Sequence, residues 1–146
     1  MNFLLRARRS QLRWLLVPAA LVAAYAHVPV IAPHLREAPY MGVLFIVLTA
    51  ACTVLAVAAL VRDSAAVYSL SVLTCGLAVA GYVATRLTAF PMLADDVGNW
   101  MEPLGLVSIA SELVVVVAAL VALARPVPGA AVRRSPSKLD AASNYS

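Results

Sequence analysis

Two histidines and a group of acidic and thioether side chains set the chemical possibilities of this chain. His27 and His34 stand seven residues apart, and Asp95, Asp96 and Glu102 follow in a second polar stretch, with Glu37, Met92 and Met101 nearby. Imidazole, carboxylate and thioether together are a ligand set for a transition metal, with thioether favouring copper and carboxylate favouring harder ions. His27, His34, Asp95, Asp96 and Glu102 are therefore candidate ligands for copper or zinc. No fixed ligand spacing accompanies them, and Pro29 and Pro33 argue against one continuous helix carrying both histidines. The alternative is a solvated loop in which His27 and Trp100 anchor the membrane interface and Arg86 pairs with Asp95, Asp96 or Glu102.

A second set of reactive residues lies inside apolar sequence. Glu112 falls about 13–14 Å beyond Pro103 if the segment is helical. An ionisable group at that depth is costly and is a functional hypothesis by default. Gly105, Ser108 and Glu112 share one helical face. Cys52 and Cys75 lie at similar depths, about 18 Å beyond Tyr40 and about 16–17 Å from Arg86. Thr49, Thr53, Ser71 and Thr74 accompany them. Three roles fit this layer: hydrogen bonding between helices, proton or ion handling by Glu112, and metal binding or redox work by the two thiols.

The elements that must position these residues follow from composition. Of 146 residues 63% are hydrophobic and 12% charged, against about 45–50% and 25% in soluble domains. The chain is thus neither a soluble globule nor disordered. Apolar stretches at 14–31, 41–61, 65–85 and 104–124 have the length and character of membrane-spanning helices. They lack the alternation of barrel strands. The expected fold is an all-α membrane protein, four transmembrane helices in an antiparallel bundle. Residues 1–13 form a basic N-terminus and 125–146 a disordered tail rich in Pro, Ser and Arg.

Charge sets the expected direction. Arg6, Arg8, Arg9, Arg13, Arg62, Arg125, Arg133, Arg134 and Lys138 place nine of the 11 cations on one side, and Arg36 and Arg86 on the other. By the positive-inside rule both termini are cytoplasmic, in a multi-pass protein of the cell membrane. The outer loops then run from about 29 to 40 and from about 86 to 103. Asp63 or Ser64 can cap the third helix. Pro103 opens the fourth, with Glu102 favourably placed at its positive end. Gly76, Ala80 and Ala84 form a small-residue stripe suited to close helix contact. A rival reading of the first span is a signal peptide cleaved after Ala24-Tyr25-Ala26, which would leave His27 as an N-terminal copper ligand.

The distinctive blocks are 26–45, with His27, Pro29, Pro33, His34, Pro39, Tyr40, Gly42 and Phe45, and 85–105, with Arg86, Phe90, Pro91, Asp95, Asp96, Gly98, Trp100, Glu102 and Pro103. On these the chain resembles small four-helix membrane proteins of high-GC Gram-positive, actinobacterial, bacteria. The resemblance implies an architecture and a host, and no reaction.

Several classes are excluded. Basic residues interleaved with aromatics are lacking, so nucleic acid is not a partner. C-x-x-C is absent, which argues against thiol oxidoreductase and zinc-ribbon roles, and so is G-x-S-x-G. The histidines, read as lying at the outer edge, do not suit a two-histidine membrane haem. No complete catalytic set is present. The expected function is a non-enzymatic accessory or assembly protein, its partners the bilayer and other membrane subunits or itself. The alternative is metal or proton handling through the outer-face residues or Glu112.

Overall fold

The computed structural model describes residues 10–125. Arg6, Arg8, Arg9, the tail 126–146 and its cations lie outside the described residues. Four helices follow one another: α1 Arg13–Glu37, α2 Pro39–Val61, α3 Ala65–Leu87 and α4 Pro103–Ala124. Among the described residues there is no strand, and all four helices are long and apolar enough to cross a membrane.

The connections are short where the sequence permits no excursion. α1 and α2 are separated by Ala38 alone, whose N–H still donates to the His34 carbonyl at 2.8 Å. Pro39 then opens α2, where its missing N–H costs nothing. Between α2 and α3 the choice of cap is resolved. Ser64 is the N-cap and accepts from Val67 N, while Asp63 turns away to accept from Ser10 N at 2.5 Å and from the Tyr68 hydroxyl at 2.7 Å. That carboxylate ties the start of α1 to the α2–α3 turn. At the opposite end the Tyr40 hydroxyl donates to the Pro91 carbonyl at 2.6 Å, and the Tyr82 hydroxyl to the Trp100 carbonyl at 3.1 Å.

α1 packs against α2 and α4, and α3 against α4, while α2 and α3 are the most loosely packed of the neighbouring pairs. The core is built from small residues, including Ala20, Ala23, Ala56, Ala59, Ala119 and Ala122. Larger apolar side chains such as Val54, Leu70, Leu73 and Val117 point outward, the inverse of a water-soluble bundle and the arrangement expected where lipid surrounds the helices.

Two expectations are corrected. The first helix does not end near 31: it continues through Pro29 and Pro33 to Glu37, so the loop expected at 29–40 shrinks to one residue. Proline breaks helices chiefly by freeing a backbone acceptor. In a membrane-type bundle, neighbouring helices and side chains can satisfy the freed groups. Ala24 and Ala26 are buried inside this continuous helix. The small-residue stripe on α3 is likewise not a contact: a Cβ at Gly76 would meet nothing within 4 Å, and Ala80 is exposed. The close approaches are at Gly42, where a Cβ would lie 2.7 Å from Leu35, and at Gly105, where it would lie 2.6 Å from Tyr82.

Candidate functional site

Extension of α1 to Glu37 moves His27 from the outer edge of the span into the bundle. It is 6% exposed, and Glu112 on α4 is 1% exposed. His27 Nε2 and Glu112 Oε1 are 3.0 Å apart. Ser108, one turn before Glu112, donates its hydroxyl to the same Oε1 at 3.2 Å and lies 3.2 Å from His27 Nε2. A serine hydroxyl has one proton to give. With that proton on the carboxylate, Ser108 Oγ is left to accept from the histidine. The three groups form a closed triangle around one imidazole N–H. Ser111 takes no part, since its hydroxyl is spent on the Val107 and Ser108 carbonyls of its own helix.

α2 supplies the aromatic wall. Phe45 stacks on the His27 ring, with centroids 5.4 Å apart and planes at 22°, and receives the edge of His34 at 4.9 Å and 79°. His34 Nδ1 lies 2.8 Å from the Val30 carbonyl. A carbonyl only accepts, so this nitrogen carries the proton. Both histidines therefore lie on one face of α1 and clasp a single phenylalanine.

Of the expected metal ligands, His27, His34, Asp96 and Glu102 line one cavity but do not converge. Among the described residues no group of three or more His, Cys, Asp or Glu side chains converges in a way that could hold a metal ion. His27 is engaged by Glu112. Glu102 caps α4, accepting from Leu104 N at 3.2 Å and Gly105 N at 2.5 Å. Asp96 pairs with Arg86 at 2.8 Å, and Asp95 is exposed in the 3-10 turn Ala94–Asp96. The sequence offered Arg86 three carboxylates, and Asp96 is the one it takes. Gly98, at a φ of 79°, closes this loop by donating its N–H to the Arg86 carbonyl at 2.9 Å.

Cys52 on α2 and Cys75 on α3 are both free and fully buried.

Between α2 and α3 lies a cavity of about 640 Å³. Met41, Leu44 and Leu48 form one wall and Leu77, Ala78 and Gly81 the other, while His27, Ser108 and Glu112 reach it from α1 and α4. Arg86, Asp96 and Glu102 also line it.

Sequence reasoning missed the His27–Glu112 pair, Phe45 and the Asp63–Tyr68 tie. One signal for the pair was present: counted from Arg13, His27 lies about 21 Å along a helix, well inside a bilayer-length span. Comparison with known proteins found no matching family model, no matching curated protein and no matching solved structure.

Proposed function

We propose that this chain is a proton-handling protein of the cell membrane, with four antiparallel spans, both termini cytoplasmic, and a working site at His27, Ser108 and Glu112. One observation carries the reading: an acid and a base at 3.0 Å, each more than nine-tenths buried, at the edge of a cavity. Burying a lone charge there is costly, and a carboxylate facing an imidazole avoids this by sharing a proton. The pair can hold that proton as an ion pair or as two neutral hydrogen-bonded groups. The two states differ little in geometry, which suits a site that takes up and releases protons. Cation distribution supports the orientation.

The test is infrared spectroscopy of the protein in lipid membranes, titrated between about pH 4 and about pH 9. A carboxyl band that changes with pH and is missing from Glu112→Gln is expected. A Glu112 band unchanged over the range overturns the reading and leaves a static structural pair.

A second reading, the accessory or docking role, draws on the loop between α3 and α4. Met92, Val97, Trp100 and Met101 are exposed on it, Met101 at 77%. A photocrosslinker placed at Met101 in cells tests it: a discrete crosslinked protein is expected on this reading, and lipid adducts alone count against it.

A further inference from the structure

The cavity between α2 and α3 is lined at its polar end by a buried guanidinium. Arg86 is 7% exposed. Its Nη1 is engaged by Asp96, at 2.8 Å to the carboxylate and 3.3 Å to the carbonyl, and its guanidinium lies 4.6 Å from the centre of the Tyr82 ring. Its buried Nε–H has no acceptor among the described residues. Buried donors are almost always satisfied, so an orphan beside a cavity calls for an acceptor from outside the chain.

The charge around it selects the acceptor. Asp96 and Glu102 both line the cavity with Arg86. An anionic head would meet the Asp96 and Glu102 carboxylates, with Glu112 deeper in the cavity, against one guanidinium, and a cationic head group such as an ammonium has no lone pair with which to accept from the Nε–H. An uncharged oxygen acceptor meets neither penalty. The walls below are aliphatic, and about 640 Å³ lies within the range of cavities that hold small organic ligands. The two helices flanking it are the neighbouring pair that packs least, which favours entry from the side, between α2 and α3.

We infer that this cavity binds an uncharged, carbonyl-bearing amphiphile drawn from the membrane, its carbonyl accepting from Arg86 Nε–H and its apolar body lying between α2 and α3. The inference rests on the membrane-spanning reading above and is independent of the proton chemistry, whose infrared test is made on the unliganded protein. Two membrane sources share the chemistry, acyl esters and isoprenoid quinones.

Gly81 allows the cavity to be filled without disturbing Arg86. It lines the space, and a Cβ added there meets nothing within 4 Å, so Gly81→Leu should fold and occlude the site. Trp100 supplies the signal, since its ring lies 6.3 Å from that of Tyr82, which lines the cavity. The chain has two tryptophans, and Trp14→Phe leaves Trp100 alone. The protein is placed in nanodiscs of ether-linked phosphatidylcholine, which carries no ester carbonyl. Three quenchers are then titrated: methyl dibromostearate, dibromostearic acid at a pH where it is ionised, and decylubiquinone.

Saturable quenching by the ester or the quinone is expected, weakened roughly tenfold or more in both Gly81→Leu and Arg86→Lys, with the acid binding more weakly than its ester. Saturation by the ester alone assigns the acyl source, and by the quinone alone the quinone source. Quenching that rises without saturating for both neutral probes, is unchanged in Gly81→Leu, or is strongest for the acid overturns the inference. Circular dichroism of each variant confirms the fold, and Gly81→Leu decides the question if Arg86→Lys does not fold.

Discussion

Glu112 sits where a carboxyl group cannot stand alone. A carboxyl group 1% exposed on an apolar helix needs a partner, and the structure provides two, the His27 ring and the Ser108 hydroxyl. Removing either end of a buried pair leaves the other unsatisfied, so single substitutions should each be costly while the double substitution adds little. A double-mutant cycle of His27→Ala and Glu112→Ala, read by unfolding in mixed micelles, should give a coupling of at least ~1 kcal/mol. A coupling near zero would mean that the two groups do not interact. The sequence made the depth of Glu112 legible, because span length and helical rise are enough to compute it. Its partner was hidden by a rule taken from soluble proteins. By that rule Pro29 and Pro33 end the first helix, which leaves His27 at the outer edge as a candidate metal ligand. Once the helix is seen to continue to Glu37, the same histidine is an interior base.

At the scale of the elements, hydrophobic runs placed the helices and cap residues placed their ends. Ser64 and Glu102 cap α3 and α4, and Pro39 and Pro103 stand in the first turns of α2 and α4. Which faces meet was harder to read. The apolar runs are nearly uniform around each helix, so periodicity carries little information about the inward side. The stripe at Gly76, Ala80 and Ala84 was accordingly assigned a contact it does not make. Polar ties between elements are the more reliable guide. Asp63 is such a tie, holding Ser10 N, just ahead of α1, and the Tyr68 hydroxyl of α3. Asp63→Ala should destabilise the bundle by about 2 kcal/mol or more, since two buried donors lose their acceptor together. Thermal unfolding in detergent checks this, and a melting temperature equal to that of the unaltered chain would show the tie to be inert.

The whole molecule is a ring of four helices with a dense side and an open one. α1 packs closely against both of its neighbours, while the space between α2 and α3 is left to the cavity. Small core residues and large outward ones fit a bundle surrounded by lipid. The proposed orientation makes its own prediction. In a Cys52→Ala/Cys75→Ala background, a membrane-impermeant maleimide added to intact cells should label Asp95→Cys and spare Arg62→Cys. Both positions are exposed, so accessibility to the reagent depends on the side of the membrane they face. The reverse pattern would invert the topology and place the cavity's polar end toward the cytoplasm.

The central claim is that His27 and Glu112 share an exchangeable proton. The chain has only two histidines, so His34→Gln leaves His27 as the single imidazole in a ¹⁵N-histidine-labelled sample. Solid-state nuclear magnetic resonance of that protein in lipid reads proton occupancy on each ring nitrogen directly. The account predicts that occupancy of the His27 ring changes with the pH of the medium, and that Glu112→Gln alters this response. A His27 spectrum that is the same at every pH, and the same with glutamine at position 112, would contradict it.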